Sequence, residues 1–348
     1  MRLNYSVLRS PHKIIKPRAL CPNDTIGIVA PSSQVVRFPN RTERGIQQLR
    51  DLGFRIEVSA TLSAMWGNSA GSARLRAEDF NRFVHAPHIA AIMFASGGLS
   101  ATSVVPLIDF DALRRHPKIV CGYSDASAIL LAVTSLSDVV TFYGPMLLPT
   151  FGEVGGACDF SVRSFLSVVS DPTSRCRLAK PSVTTSEYLR WEFRDTRSRV
   201  MRRATSWVTL NGGVAEGPSI VANLDTLCRM VGTPYFPDCD GAVLFLEWDA
   251  GTPDALENML QQLVQARVLD RVAGLVFGRG CRFRRCRDRS MHSVLRDVIA
   301  DFEVPVLADV DFGHSEPRLT LPIGIAVQVD ATSREIHLEE RAVLDVVE

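Results

Sequence analysis

The sequence predicts an α/β protein in which a parallel, doubly wound sheet is followed by a second domain of mixed α and β structure. Three observations predict it. Strand-like apolar runs alternate with helix-period segments through the first 150 residues. Ser, Thr and Arg then accumulate between Ser161 and Arg203 while hydrophobic periodicity weakens. From Trp207 onward, short strands recur around one strongly amphipathic helix. The plan that follows is an extension at 1–19, a first α/β domain at 20–160, a linker or crossover at 161–206 and a second domain at 207–348.

The elements justify themselves in order. Ile26-Gly-Ile-Val-Ala30 is an apolar run stopped by Pro31-Ser-Ser33, the pattern of a buried strand entering a loop. Asn40 and Glu43 fit a capping-box start for a helix carrying Ile46, Leu49 and Leu52, with Gly53 just past its end. Phe54 to Val58 reads as a strand, and Phe80, Phe83 and Val84 share one face of a second helix. The run Ile89 to Ala95 leads into the turn Ser96-Gly97-Gly98, and Lys118-Ile-Val-Cys-Gly122 is the next strand. In the second domain the strands are 208–210, 242–246, 274–277, 325–329 and 336–338. Their helix starts near Thr252-Pro253 and places Leu256, Met259, Leu260, Leu263 and Val264 at helical spacing.

Composition removes several functions. Hydrophobic residues are 46% and charged residues 22% of the 348, which excludes disorder, collagen and coiled coil. A net charge of +1 gives no overall field toward nucleic acid or an anionic membrane. No apolar run reaches the roughly 20 residues a bilayer demands. The first twenty residues lack the apolar region and cleavage site of a secretory signal, so the cytoplasm is the expected compartment. Eight scattered cysteines read as thiols rather than a disulfide framework, and Cys281 with Cys286 makes a poor zinc site, so no metal is expected.

Four places carry candidate chemistry. In Gly122-Tyr-Ser-Asp125 a strand passes into the helix of Ile129 to Val133 within a few residues. That turn exposes Ser124 above the sheet edge, as a nucleophile elbow does, with helix N–H groups behind it for an oxyanion. The alternative is that Ser124 or Asp125 merely caps the helix. His314 lies in the Gly- and Pro-marked loop Asp311-Phe-Gly-His-Ser-Glu-Pro317 between apolar strands, fit for a catalytic base or for a plain surface histidine. His12 and the other histidines sit in the extension, in polar contexts or, for His337, on a strand. Glu247 closes a buried strand, where a carboxylate needs a partner, either a histidine N–H or an arginine. Asp249 and Asp254 read as turn and helix-start carboxylates. Gly97 and Gly98 let backbone N–H groups approach a substrate, but the spacing fits neither a dinucleotide fingerprint nor a P-loop. The basic run Arg279 to Arg289 reads as a solvated loop or as a patch for an anionic part of a small substrate, and Cys121 as core filling.

Taken together these segments resemble the serine carboxypeptidase family that includes the LD-carboxypeptidases of murein recycling and the microcin C self-immunity proteins. The matching stretches run in family order: Leu20 to Ser33, Arg76-Ala-Glu-Asp79, Ser96-Gly-Gly98, Pro117 to Asp125, Thr141-Phe-Tyr-Gly-Pro145, Asn223-Leu224, Gly232-Thr-Pro-Tyr235, Leu244-Phe-Leu-Glu247, Phe312-Gly-His314 and Leu321-Pro-Ile-Gly324. The resemblance implies a flavodoxin-like N-terminal domain, a smaller β-rich α/β domain after it, a site between them, a homodimer and no cofactor. It puts the nucleophile on Ser124, the acid on Glu247 and the base on His314, with oxyanion donors at the N–H of Asp125 and of Gly98. Ser96-Gly-Gly-Leu-Ser-Ala101 is closest to the immunity branch, which implies a peptidyl- or aminoacyl-nucleotide substrate, contacted at Gly97 and stacked on Trp191. Trp191 is open equally to a packing role between domains. The sequence departs from the family pattern at Val221-Ala222 and at Trp248, positions that bear on the pocket's shape. Removal of D-alanine from murein tetrapeptide, non-catalytic binding of a peptide or nucleotide, and Cys121 chemistry are the competing functions.

Overall fold

The computed structural model describes residues 13–173, 175–284, 286 and 288–345. The first half reads β1 (Thr25–Val29), α1 (Pro39–Asp51), β2 (Arg55–Val58), α2 (Ala73–His85), β3 (Ile89–Phe94), α3 (Phe110–Arg115), β4 (Ile119–Gly122), α4 (Ser127–Ser137) and β5 (Thr141–Tyr143). A connecting stretch holds α5 (Asp159–Val169), β6 (Val183–Thr184), α6 (Trp191–Arg194) and β7 (Arg202–Arg203). The remainder comprises β8 (Val208–Asn211), β9 (Val214–Asn223), α7 (Leu224–Met230), β10 (Val243–Glu247), β11 (Asp249–Gly251), α8 (Pro253–Gln265), β12 (Gly274–Gly278) and β13 (Cys281–Phe283). It closes with α9 (Met291–Ile299), β14 (Val306–Val310), β15 (Leu321–Ile323), β16 (Ala326–Asp330) and β17 (Glu335–Leu338).

Two sheets organise the chain. The first has the order β15-β5-β4-β3-β1-β2, so its five N-terminal strands run parallel in the 2-1-3-4-5 order of flavodoxin-like folds. Its inner strands are buried on both faces, which is why Ile89–Phe94 is an unbroken apolar run rather than an alternating one. The second sheet, β17-β16-β9-β10-β12-β14-β8, has a parallel centre of β9, β10, β12 and β14 with antiparallel strands at both margins. β15 comes late in the chain yet pairs antiparallel with β5, Leu321 opposite Tyr143. Ser219 on β9 ties the second sheet to β15, its hydroxyl donating to the Pro322 carbonyl at 2.7 Å.

Two sequence expectations change. The helix after β1 begins at Pro39, and Phe38 precedes it with no side-chain cap, so Asn40 and Glu43 form no capping box. Pro39 already fixes the first helical φ. The second half carries three helices rather than one, because α7 and α9 are too short for their periodicity to stand out. Residues 13–19 are docked: Ile15 bridges to Val139, Arg18 bridges to Leu344, and Ala19 is buried. His12 and the rest of the expected extension lie outside the described residues. No helix among the described residues is long and apolar enough to cross a membrane.

Candidate active site

Ser124 stands where β4 breaks into α4. Its φ of +64° lies in the left-handed region, which a residue with a Cβ adopts only when its surroundings enforce it. Enforcement comes from the Tyr143 hydroxyl, which accepts the Ser124 N–H at 3.0 Å, and from Ser127, whose hydroxyl donates to the Ser124 carbonyl at 2.7 Å. The capping alternative does not hold. No side-chain cap bond is made at the start of α4, and the Asp125 carboxylate turns away to the Ser32 hydroxyl (2.5 Å) and the Ala101 N–H (2.8 Å). Gly97 faces the serine so closely that a Cβ there would stand 2.9 Å from Ser124 Cβ and 3.0 Å from its Oγ. The left-handed φ of Gly98 and the Ser32 and Ser33 hydroxyls beside it make the same demand one residue on.

Glu247 ends β10 and is almost wholly buried. Its partners are not arginines. His314 Nδ1 lies 2.7 Å from one carboxylate oxygen, and the other accepts the Tyr143 O–H at 2.5 Å and the Asn223 amide at 3.0 Å. Tyr143 therefore joins the acid directly to the serine's backbone, and burial beside Glu247 pushes its phenol well above the ordinary value, keeping it a donor. The loop bearing His314 is fixed at its start by Asp311, which accepts the Trp207 indole N–H (2.9 Å) and the Arg279 guanidinium (2.8 Å). Gly313 has φ +81° and presses on Glu247, where a Cβ would meet Oε2 at 2.6 Å. The Tyr123 ring meets the imidazole edge-on at 5.1 Å. Burial opposes charge on His314, but Glu247 and Asp249 outweigh it and hold the pKa above the ordinary imidazole value.

Asp249 corrects the sequence reading, for it is not a simple turn residue. It lies on β11, its carboxylate 3.5 Å from His314 Nε2 and 2.8 Å from Arg282 Nε. Burial works against its ionisation, yet His314 and Arg282 keep it below the usual carboxylate range. Asp254 does sit in the first turn of α8 as expected. Arg279, Arg282 and Arg289 are each engaged by carboxylates, so the basic run is less a free patch than a set of ties; Arg285 and Arg287 lie outside the described residues.

Ser124, Gly98, Asp249 and His314 line two cavities in common. One, of about 280 Å³, is bounded by Gly97, Tyr123, Tyr188, Trp191, Arg199 and Arg318. Trp191 opens α6 and presents a half-buried ring whose other contacts are the Arg41 guanidinium, 4.3 Å from its centroid, and the edge of Phe38. Wall and packing roles are thus both met. Behind it runs a buried ionic chain in which Arg41 pairs with Glu153 and Asp195, and Arg199 and Arg318 share Glu316. Burial would raise the Glu316 carboxyl, but the two arginines hold it low. Arg318 Nη1 is buried with no hydrogen-bond partner among the described residues, a donor left for an incoming acceptor. The other cavity, of about 320 Å³, lies on the side of Asn223, Asp225, Trp248 and Met259.

The sequence does not mark Tyr143, Asn223 and Arg318 as site residues, although each stands within or beside a motif that it does mark. The signal was there for Asn223, since an amide beside Glu247's strand can reach its carboxylate; parallel pairing puts the two residues opposite each other. Cys121 is buried, and burial pushes its thiol far above the usual range, which removes it as a nucleophile. Among the described residues no group of three or more His, Cys, Asp or Glu is placed to hold a metal ion.

Comparison with known proteins adds the family context. Residues 26–144 match the LD-carboxypeptidase N-terminal domain and residues 216–329 its C-terminal domain. The chain is 31% identical to the microcin C7 self-immunity protein of Escherichia coli, over 92% of this chain and 95% of that one. It is 27% identical to a Bacillus subtilis protein named "Probable murein peptide carboxypeptidase", over 93% and 94% of the two chains. The solved structure of the microcin C7 self-immunity protein with aspartyl sulfamoyl adenosine superposes with a TM-score of 0.90 at 29% identity, covering 94% of this chain and 99% of that one.

Proposed function

The chain belongs to the LD-carboxypeptidase family of serine peptidases, and on that premise we propose that it hydrolyses the amide-like bond joining an amino acid or peptide to a nucleotide. One observation carries the reading: Glu247 touches both the imidazole of His314 and, through Tyr143, the backbone of Ser124. In this reading Ser124 Oγ attacks the carbonyl carbon while His314 Nε2 takes its proton, and Glu247 fixes the imidazole tautomer and stabilises the imidazolium. The N–H groups of Asp125 and Gly98 receive the oxyanion at the start of the helix. The C–N bond then breaks as His314 returns the proton to the leaving nitrogen. Water, deprotonated by the same imidazole, attacks the acyl-enzyme and frees the acid and Ser124.

The cavity wall supports a nucleotide leaving group. Trp191 offers a ring for stacking, and Arg318, with its unpartnered donor, suits a phosphoryl or sulfamoyl oxygen. The same arginine suits a terminal carboxylate, which keeps murein tetrapeptide as the second reading. We take the working form to be a cytoplasmic homodimer. That compartment fits Cys21, Cys121, Cys158, Cys228, Cys239, Cys281 and Cys286, none of which is in a disulfide.

The test is mass spectrometry of products from wild type and Ser124→Ala, each incubated with an aminoacyl sulfamoyl adenosine and with murein tetrapeptide. Serine-dependent cleavage of the nucleoside compound is the expected result, and release of D-alanine alone would transfer the protein to murein recycling. If neither compound were cut by wild type, the hydrolase reading would fall to the non-catalytic one.

A further inference from the structure

We infer that the second cavity receives the acyl part of the substrate and selects amino acids whose side chains are neutral or cationic, rejecting acidic ones. The inference rests on the hydrolase reading and adds its substrate class. Position comes first. The cavity shares Ser124, Gly98, His314 and Asp249 with the aromatic and arginine-lined one, so a scissile bond at Ser124 must place its two halves in the two spaces. Trp191, Arg199 and Arg318 line only the first, which leaves the second for the acyl group.

Charge then sets selectivity. Three carboxylates, Asp125, Asp225 and Asp249, the last shared with the first cavity, line the acyl side, and among the described residues neither lysine nor arginine does. Each carboxylate has its cation elsewhere: Arg229 lies 2.5 Å from Asp225, Arg282 pairs with Asp249, and Asp125 acts on Arg76. None of those arginines belongs to this cavity's lining, so the carboxylates are the charged side chains it offers beside His314. Asp125 adds a second signal, because its Oδ1 is buried with no hydrogen-bond partner among the described residues. Leu99, Trp248 and Met259 add an apolar part of the wall fit for a long aliphatic stem, beside the polar Asn223 and Thr226. An aspartyl side chain entering here would meet like charge and, among the described residues, find neither lysine nor arginine to repay its desolvation. The relative solved with aspartyl sulfamoyl adenosine thus marks the ligand type this chain should disfavour.

The experiment measures kcat/KM of wild type on lysyl, leucyl and aspartyl sulfamoyl adenosine at low and high salt, and repeats the series with Asp225→Lys. Lysyl and leucyl compounds should exceed the aspartyl one by about 10- to 100-fold. The lysyl advantage should shrink with salt, and Asp225→Lys should raise aspartyl turnover relative to lysyl. Thermal melting of the variant verifies that it folds, and the salt series on wild type stands even if it does not. Ser124-dependent cleavage that is equal for all three, or best for aspartyl, overturns this selectivity while sparing the hydrolase reading. Absence of cleavage across the whole series overturns both.

Discussion

Tyr143→Phe isolates the bond that ties the proposed acid to the serine turn. The change removes one oxygen and no carbon, so the ring keeps its contacts with Tyr123 and Phe312. Two interactions go. Glu247 loses a short bond from a buried donor, retaining Asn223 and His314, and the Ser124 N–H loses its acceptor at a residue held at positive φ. A hydrogen bond to a charged buried group contributes about 1.5–3 kcal/mol, and that is the expected loss of stability in urea unfolding. If the serine turn and the carboxylate also relax in the transition state, the same energy appears in the barrier. At about 1.4 kcal/mol per decade, kcat/KM then falls about 10- to 100-fold. Stopped assays of a serine-dependent substrate, run beside the urea titration, separate the two effects. A stability loss with unchanged kcat/KM would refute the claim that Tyr143 positions the site, and no loss in either would refute the bridge itself.

Further outcomes follow from the same geometry. In the proposed mechanism His314 acts as a base in its neutral form, and Glu247 and Asp249 raise its pKa, so kcat/KM should rise with pH through a midpoint above the ordinary value near 6.5. Asp249→Asn should move that midpoint to lower pH, and an unmoved pH–rate profile would count against the contact; the stability this raised pKa contributes is fully present below the unfolded value and is lost as pH climbs through the folded one. Gly313→Ala combines a strained φ with a Cβ against the Glu247 carboxylate, so unfolding should show a loss of about 1–3 kcal/mol with activity falling further, whereas near-native activity would mean the loop can relax. Iodoacetamide should leave turnover intact, because the Cys121 thiol is buried and held protonated; inactivation that tracks alkylation of Cys121 would reopen thiol chemistry.

Much of this arrangement was legible in the sequence where a local rule leaves little freedom. A strand entering a helix within three residues forces a turn at Ser124, and a carboxylate closing an apolar strand demands a partner, so both residues announced themselves. Their partners did not. Tyr143 ends a three-residue strand that looks like core filling, and nothing local says that its hydroxyl reaches Glu247 across 104 residues of chain. Asp249 looked like a turn residue because its strand is only three residues long and pairs with another equally short one. Arg318 was hidden for the opposite reason: an isolated arginine reads as surface, and only the buried Glu316 and Tyr123 around it make its burial tolerable.

The placement of His314 explains why the late strand β15 returns to the first sheet. The loop leaves β14 in the second sheet and ends at β15, which pairs with β5, the strand that carries Tyr143. Both ends of the histidine loop are therefore anchored, one to the sheet that supplies Glu247 and one to the sheet that supplies Ser124. Asp311 fixes the first end through Trp207 and Arg279, and the Leu321–Tyr143 register fixes the second. A shift of one sheet against the other would pull on the loop and on the Tyr143–Glu247 bond together. The proposed chemistry is thus tied to the interface between the sheets, and substitutions that loosen Ser219 against Pro322 should impair turnover without touching a reacting atom.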